Sequence, residues 1–395
     1  MEFAETGATL EFESVALPLP PALAANSYAT VRRERLVSVD VLRGFAVVGM
    51  IVVNALATTK NTYGFRPELA FLAHSPWAGF TFADFVFPAF IFIAGFSIAA
   101  SSRGRTRIDG VLLGRIVTRT LALLVLGFLV TNVAWFGRTD HGDWRLPGVL
   151  QRIGLCYFAT AILFVACSPR IRLSVALLIL LAYWPLSLVP VPGHATNLFV
   201  PGANFESFVD RIVLGPHALV AGPSGYDPEG LLSTLPAIAQ CLLGTLAGEW
   251  LLKNRAVTSA PLQLASAGAV ALLLGLAWSP FFPLVKNIWT SSYVLFSTGI
   301  ALLLLSVSWW VLDRKQIRSW AVTFFEAFGI NALLAYILQE MAQLLPAGDE
   351  MRALGAASLK SEASVLVTDI PVLAFIVMLW LPLEFMRRRR WILKL

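Results

Sequence analysis

Long apolar runs separated by short polar segments dominate the chain. A helix needs about 20 consecutive apolar residues to cross a bilayer, and many of these runs reach that length. Their apolar residues are continuous rather than alternating, which favours helices over the strands of a membrane barrel. The pattern predicts about ten transmembrane helices. The predicted spans are residues 41–59, 82–101, 113–134, 149–167, 173–191, 231–252, 262–283, 289–311, 320–343 and 367–386.

The segments that connect these spans differ in basic residues, and this difference predicts orientation. Alternate segments carry the arginine clusters at 32–35, 103–107 and 387–390, whereas the opposite set is poor in Lys and Arg. Cytoplasmic loops of membrane proteins are the ones enriched in these residues. Both termini are therefore predicted to be cytoplasmic. The four histidines then fall on the outer side: His74, His141, His194 and His217.

The composition agrees with a membrane protein. Hydrophobic residues make up 57% of the chain and charged residues 14%, which is too apolar for a soluble domain of this size. We therefore predict an all-α, polytopic membrane helix bundle in contact with the lipid bilayer. The net charge of +6 fits its cytoplasmic arginines. Because no interleaved basic and aromatic surface motif is present, nucleic acid is not an expected partner.

Two regions differ from the apolar runs. Residues 1–36 contain glutamates, a Pro/Ala stretch and then RRER, without the apolar core of a signal peptide, so we predict a disordered cytoplasmic tail. Residues 37–395 are predicted to form one transmembrane domain. Its segment 192–230 is rich in Pro and Gly and is long enough to cover a site. The three cysteines lack the paired spacing of disulfides or zinc sites, so no metal is expected.

Two titratable residues stand at the entrance of the second span. His74 precedes it and Asp84 lies in its first turn. An ionisable group at membrane depth is costly and indicates function or a buried pair. His74 is a candidate base or nucleophile, or an interfacial residue beside Trp77. Asp84 is a candidate partner of His74 or of a buried arginine, or a charge favoured at a helix N-terminus. Only a loop that folds back brings the two together.

Further polar residues accompany them on the outer side. Asn54, late in the first span, is a candidate to orient an imidazole or to hold a thioester carbonyl, or a residue that bonds to another helix. Arg152 enters the fourth span, where it either snorkels outward or forms a buried ion pair with Asp84, which we favour. In YDPEG, Asp227 and Glu229 either bind a cationic or hydroxylated acceptor or mark a helix start, the interpretation we favour.

The cytoplasmic side offers candidate anion ligands. Asp40 and Arg43 are three residues apart on one helical face, and Arg103 and Arg105 follow the second span. These residues are either a cytoplasmic anchor or the entry rim for an anionic cofactor, because arginine binds phosphate well. No phosphate-binding loop, dinucleotide fingerprint, HExxH or GxSxG motif is present. In the ninth span, Asn331 is expected to act in helix packing.

Five stretches in this order resemble one family. They are RLVSVDVLRGFAVVGMIVVN, HSPWAGFTFADFVFPAFIFIAGFSIAAS, RLPGVLQRIGLCYF, YDPEGLLSTLPAIAQCLLGTLAGEWL and GINALLAY. Together they resemble the heparan-alpha-glucosaminide N-acetyltransferase family and its bacterial relatives, within a wider transmembrane acyltransferase superfamily. The resemblance extends from about residue 35 to 340. It implies transfer of acetyl from cytosolic acetyl-CoA to an amine across the membrane.

The resemblance also implies roles for individual residues. The histidine of the H-x-x-W-x-G stretch, here His74, is catalytic, and Asn54 and Asp84 match two further important positions. His74 would act either as a base or as an acetyl carrier. We assign Trp77, with Asp227 and Glu229, to the acceptor. The residues assigned to acetyl-CoA are Asp40, Arg43, Arg103, Arg105 and Arg152.

The sequence leaves the acceptor and the reaction class open. The lysosomal members carry a luminal domain where this chain has a short tail, so the resemblance specifies the donor more closely than the acceptor. We expect an amino-sugar acetyltransferase of the inner membrane, acting at the periplasmic face. The alternatives are an O-acyltransferase acting on a glycan hydroxyl and a transporter or flippase with a polar intramembrane path. The relatives also suggest a homodimer.

Overall fold

The computed structural model describes residues 36–63, 67–105, 107–133, 144–193, 195–220, 224–342 and 365–393. Over these ranges the chain is helical and contains no strand, only isolated bridges that pair Ala78 with Val285 and Val220 with Tyr226. The all-α prediction is confirmed. Almost all of the predicted tail lies outside the described residues, as do His141 and His194.

Twelve α-helices, numbered here in chain order, make up the described fold. They are α1 Val37–Tyr63, α2 Phe82–Ser101, α3 Gly110–Thr131, α4 Val149–Ala166, α5 Pro169–Ser187, α6 Phe205–Val213, α7 Thr234–Asn254, α8 Ala260–Trp278, α9 Ser291–Ser308, α10 Trp320–Ile330, α11 Ala332–Ala342 and α12 Val365–Arg388. A π-helical turn, Trp309–Arg314, extends α9.

The helices identify a multi-pass membrane protein. Within the described residues, 8 helices are long and apolar enough to cross a membrane, or up to 9 if α10 and α11 together count as one bent span. Helix α12 coincides with the predicted tenth span at 367–386. The total of ten spans and the cytoplasmic placement of both termini stay predictions.

The predicted ninth span is not one straight helix. It is broken between α10 and α11, whose axes differ by 79°. Asn331 occupies the break, where its Nδ2 donates to the carbonyl oxygen of Trp391 at 3.0 Å and its Oδ1 accepts from the backbone N–H of Leu393 at 2.9 Å. The side chain therefore binds the segment that follows α12, which agrees with the structural role expected of Asn331.

Helices α2 and α7 occupy the centre of the bundle and are the most buried of its spans. They cross at very short range, because a Cβ added to Gly95 would lie 1.9 Å from the carbonyl oxygen of Cys241. Helices α3, α5 and α8 lie at the periphery and expose leucines. In a membrane such faces contact lipid. The position of α2, and with it of its N-terminus, is set instead by its close contact with α7.

Replacement of Gly44 by alanine is expected to destabilise the fold. A Cβ at Gly44 would lie 1.7 Å from the carbonyl oxygen of Phe325, where α1 crosses α10. Backbone must shift to admit it, and overpacking of this kind costs about 1–3 kcal/mol. Thermal unfolding in detergent measures the loss.

Gly114 provides the matched control for that prediction. It lies in α3, and a Cβ there would have no atom within 4 Å. Gly114→Ala is expected to leave stability unchanged or to raise it by up to about 1 kcal/mol through helix propensity. Equal melting temperatures for the two variants would contradict the close approach of α1 and α10.

Candidate active site

The loop before α2 folds back and joins His74 to Asp84. His74 Nδ1 lies 2.8 Å from Asp84 Oδ1. The other carboxylate oxygen accepts from the backbone N–H of Ser75 at 3.1 Å, the backbone N–H of Thr81 at 3.2 Å and the Thr81 hydroxyl at 3.0 Å. The Asp84 side chain is 1% exposed, whereas that of His74 is 43% exposed. A fixed carboxylate thus holds an accessible imidazole.

These contacts indicate which ring nitrogen of His74 carries the proton. Asp84 Oδ2 faces three donors and is therefore an acceptor, and Oδ1 is then free to accept from Nδ1–H of His74. In the neutral ring this leaves the lone pair on Nε2, the arrangement that suits a general base or a nucleophile. The Tyr293 hydroxyl donates to the backbone oxygen of Asp84 at 2.6 Å, which fixes the start of α2 against α9.

A lysine that sequence analysis did not select lies beside this pair. Lys286 Nζ is 3.3 Å from both ring nitrogens of His74. Burial and the charge of Arg152 lower the pKa of Lys286, although Glu229 and Asp84 oppose the shift. The sequence signal was faint, because Lys286 is the single charged residue in the segment SPFFPLVKNIWT between α8 and α9.

A second ion cluster joins the segment before α7 to the segment before α4. Arg145 donates to Asp227 through Nη2 at 2.6 Å and through Nε at 3.1 Å, and it also bonds to Glu229. Asp227 further accepts from the backbone N–H groups of Leu219, at 2.7 Å, and Glu229, at 2.8 Å. Both Asp227 oxygens are therefore engaged within the protein, which supports its structural interpretation. The sequence offered no reason to select Arg145 as a site residue.

Glu229 remains ionised within this ion cluster. Burial alone would raise the pKa of Glu229, but the positive charges of Arg145, Arg152 and Lys286 hold it below its usual value. The carboxylates of Glu229 and Asp227 in turn outweigh the effect of burial on Arg145 and raise its pKa. The end of the bundle at which α2 begins therefore concentrates carboxylates and cations, with Asp84 and Lys286 directly against His74.

The predicted ion pair between Arg152 and Asp84 is wrong. Arg152 Nη2 donates to the carbonyl oxygen of Gly230 at 3.0 Å and to the Ser233 hydroxyl, and its guanidinium lies 5.0 Å from the ring centroid of Trp289. Asp84 is instead occupied by His74 and the Ser75–Thr81 loop. Arg152 acts on the site at longer range, through the charges of Glu229 and Lys286.

The five predicted cofactor ligands do not form one cluster. Helix α2 begins beside His74 and ends at Ser101, so the exposed Arg103 and Arg105 that follow it lie at the opposite end from Arg152. Asp40 and Arg43 form an ion pair at 3.0 Å. Arg43 also donates to Ser97 Oγ at 2.8 Å and to the carbonyl oxygen of Gly329 at 3.1 Å, which links α1, α2 and α10.

Trp77 and Asn54 take different positions. The Trp77 side chain is buried, its Nε1 donates to the carbonyl oxygen of Leu198 at 2.9 Å, and its ring meets that of Tyr226 edge to face at 5.0 Å. It therefore holds the segments around Leu198 and Tyr226 against the loop of His74. Asn54 is half-buried near the end of the apolar stretch Val37–Ala55 of α1. Contact of either residue with substrate stays a prediction.

A narrow apolar crevice lies between α1, α2 and α9. Its lining extends from Val39 and Phe96, near the Arg43–Ser97 contact, to Phe85, which follows Asp84. The lining thus extends from the level of the α1 N-terminus to Phe85, but the space inside is only about 20 Å³, which admits about one water molecule. Among the described residues, no group of three or more His, Cys, Asp or Glu side chains is arranged to hold a metal ion, and the expectation of a metal-free site stays a prediction.

The segment between α5 and α7 also contains a buried carboxylate outside the ion cluster. Glu206 in α6 is 1% exposed and accepts a hydrogen bond from the Ser187 hydroxyl at the end of α5. Burial raises the pKa of Glu206 to about 7 and that of the neighbouring Asp210 to about 6. Folding of this segment therefore takes up protons.

We expect α6 to loosen as the pH rises. The burial penalty on Glu206 is absent below its usual pKa of 4.5, grows as the pH rises through about 7 and then stays constant. The shift corresponds to roughly 3 kcal/mol. Hydrogen exchange of residues 205–213 should accelerate beyond its intrinsic pH dependence between about pH 5 and about pH 8. Glu206→Gln should remove about half of this excess, because the raised pKa of Asp210 in the same helix contributes a similar share. An unchanged pH profile in that variant would contradict the assignment.

Comparison with known proteins places this site in a family context. Residues 35–279 match the family model described as heparan-alpha-glucosaminide N-acetyltransferase, catalytic. The chain is 31% identical to the Homo sapiens heparan-alpha-glucosaminide N-acetyltransferase over 363 residues, 78% of this chain and 53% of that protein. It is 32% identical to the Mus musculus protein of the same name over 380 residues, 81% of this chain and 56% of that protein. The chain spans about half the length of these curated relatives.

Proposed function

Since this chain belongs to the heparan-alpha-glucosaminide N-acetyltransferase family, we propose that it transfers acetyl from cytosolic acetyl-CoA to the amino group of a sugar. The acceptor is acetylated at the periplasmic face of the inner membrane. The enzyme is a membrane-embedded acyltransferase, and acetyl-CoA is its donor substrate rather than a resident cofactor.

The observation that carries this proposal is the His74–Asp84 pair. Acetyl transfer to an amine requires a group that accepts the proton of the attacking nitrogen, or one that carries the acetyl itself. An imidazole that donates from Nδ1 to a buried carboxylate at 2.8 Å and keeps an accessible Nε2 provides either function. The histidine of the matched family region thus has the geometry that the reaction needs.

The two ends of the bundle suit the two substrates. The exposed Arg103 and Arg105 lie at the end that we assign to the cytosol, where they are available to the phosphates of CoA. The lining of the crevice between α1, α2 and α9 extends from that end to Phe85, which follows Asp84, and the crevice would have to widen to admit the donor arm. Because a bilayer core is about 30 Å thick, the donor arm must enter the bundle to bring its thioester to His74. The apolar lining excludes bulk water from this route.

The carboxylates at the outer end favour an amine acceptor. Glu229 bonds to Arg145 and is held in its charged form by Arg145, Arg152 and Lys286, the lysine that contacts His74. A carboxylate attracts a sugar that arrives as an ammonium ion. The ion first releases one proton to solvent, and His74 can then accept the proton that the neutral nitrogen loses on acylation. An O-acyltransferase acting on a glycan hydroxyl is the second candidate, because the same base would activate a hydroxyl group.

A sided transfer assay tests the proposal. The purified protein is reconstituted in liposomes with glucosamine trapped inside and acetyl-CoA added outside, and both free CoA thiol and the product are measured. Protein-dependent thiol release outside, with N-acetylglucosamine inside, is the expected result. Protein-free liposomes and the His74→Ala variant are the controls.

Three other outcomes would contradict the proposal. A base-labile acetyl ester in place of the amide would favour the O-acyltransferase. Glucosamine movement without thiol release would favour a transporter. Product found only on the side of acetyl-CoA would refute transfer across the membrane.

A further inference from the structure

Lys286 has no role in the function proposed so far, although it lies against the reacting side chain. Its Nζ is 3.3 Å from Nδ1 and 3.3 Å from Nε2 of His74. Both distances exceed the usual 2.9–3.0 Å of a good hydrogen bond from nitrogen. Equal distances also mean that the ammonium is not aligned with the lone pair of either nitrogen. The ammonium is therefore close to the ring without being committed to it.

The backbone around Lys286 is held firmly, so this proximity is built into the fold. The preceding residues pair with the loop of His74, through the Ala78–Val285 bridge and the hydrogen bond from Gly79 N to Leu284 O at 2.9 Å. On the other side, the Tyr183 hydroxyl donates to the carbonyl oxygen of Ile288 at 2.7 Å. The segment of Lys286 and the segment of His74 are thus one paired unit.

Thr290 closes the turn that contains Lys286. Its Oγ1 donates to the carbonyl oxygen of Pro283 at 2.7 Å and accepts from the backbone N–H of Val285 at 3.1 Å. Its own backbone N–H donates to Val285 O at 3.2 Å. The lysine therefore projects from a cross-linked turn, and only its side chain remains free to adjust.

Opposing effects act on the charged form of Lys286. Asp84 and Glu229 stabilise the ammonium, whereas burial and Arg152 disfavour it. Arg152 is itself buried between Gly230, Ser233 and Trp289. A partly desolvated ammonium is a strong hydrogen-bond donor, because little water competes for its protons. Such a group is suited to stabilise a negative charge that appears briefly beside His74.

We propose that Lys286 is a further catalytic residue of the acetyl transfer, donating a hydrogen bond to the thioester oxygen as negative charge develops on it. This inference rests on the proposed function. In direct transfer, the acceptor nitrogen bonds to the carbonyl carbon and gives its proton to His74 Nε2, while the C=O electron pair moves to the oxygen beside Lys286. The oxyanion then reforms the carbonyl, the C–S bond breaks, and the CoA thiolate takes the proton from His74.

The same donor serves the route through an acetyl-imidazole. There Nε2 of His74 forms the bond to the carbonyl carbon, the oxygen again becomes negative, and the thiolate leaves. The acceptor amine attacks the acetyl-imidazole in a second step with an oxyanion in the same place, and the amine proton ends on the thiolate. In either route the negative charge develops on the oxygen of an acetyl group that reacts at His74 Nε2, and this nitrogen lies 3.3 Å from Lys286 Nζ.

The test compares Lys286→Met with Lys286→Arg in the glucosamine acetylation assay. Loss of one oxyanion donor lowers kcat by about 10²–10³-fold, and we expect this loss for Lys286→Met with little change in acetyl-CoA affinity. Lys286→Arg retains a positive donor and should recover at least part of the rate. Activity of the wild type should fall at alkaline pH as Lys286 loses its proton. This fall should be absent in Lys286→Arg, because arginine stays protonated.

The outcomes separate this proposal from the function on which it rests. No thiol release by the wild-type protein would overturn both. Normal wild-type activity with Lys286→Met at a similar kcat would overturn the role of Lys286 alone. Equal losses of kcat in Lys286→Met and Lys286→Arg, both with the alkaline fall in activity of the wild type, would also overturn it. The group that titrates would then not be Lys286.

Discussion

Asp84→Asn is expected to keep the fold and to lower acetyl transfer by roughly three to four orders of magnitude. The reason lies in the three donors that face Asp84 Oδ2, namely Ser75 N–H, Thr81 N–H and the Thr81 hydroxyl. They require an acceptor, so the amide oxygen of the new side chain takes this position. Its NH₂ group then faces His74 Nδ1 and donates to it.

The consequence for catalysis is a change of tautomer. With Nδ1 accepting a hydrogen bond, the ring proton moves to Nε2, and Nε2 no longer offers a lone pair to the acceptor or to the thioester. The variant should therefore bind acetyl-CoA normally and fail in transfer. The measurement is kcat for glucosamine acetylation, together with acetyl-CoA affinity and melting temperature.

Asp109 provides a matched control for this substitution. It is also at the start of a membrane helix, α3, where its side chain accepts from the backbone N–H of Leu112 at 2.6 Å. Asparagine caps helices as well as aspartate does, so Asp109→Asn should behave like the wild type. A kcat for Asp84→Asn within about tenfold of the control would be too small for a tautomer effect.

His74→Ala is expected to abolish measurable transfer. Removal of a general base alone lowers rates by about 10²–10⁴-fold, and removal of a nucleophile by more. Donor binding should persist, because the crevice toward Phe85 does not include His74. Kinetic assays and titration with acetyl-CoA measure the two effects separately.

His217→Ala is the control for the loss of an outer histidine. His217 stacks on Trp144 with ring centroids 3.8 Å apart, and its Nδ1 lies 2.9 Å from the carbonyl oxygen of Trp144. Its removal should affect stability without abolishing transfer.

Incubation of the wild type with radiolabelled acetyl-CoA and no acceptor distinguishes the two chemical routes. Label retained on His74 indicates the acetyl carrier, and its absence with full activity indicates direct transfer.

Sequence patterns predicted the helices well and their ends less well. The span predicted at 82–101 coincides with α2, because an apolar run and Thr81 mark both its length and its start. The span predicted at 173–191 begins earlier, since Ser168 caps α5 and Pro169 occupies its first turn. The span predicted at 262–283 ends at Trp278, ahead of Pro280, because a proline disfavours helix in the residue before it.

The site depended on information that local patterns do not contain. The sequence allowed Asp84 two partners, His74 and an arginine, and the favoured pair with Arg152 is wrong, because only the path of the loop decides between them. Lys286 is 212 positions from His74 in the chain, so no spacing connects them. The bend at Asn331 was invisible for another reason, because a broken helix pair and a straight span have the same apolar composition.

The pairing of the two segments around His74 and Lys286 has a consequence for protein engineering. Ala78 and Gly79 bond to residues 284 and 285, just before α9. A chimera that exchanges only the turn preceding α2 between relatives would break these bonds and displace the imidazole. The smallest transplantable module therefore comprises two distant stretches of chain, which have to be exchanged together or not at all.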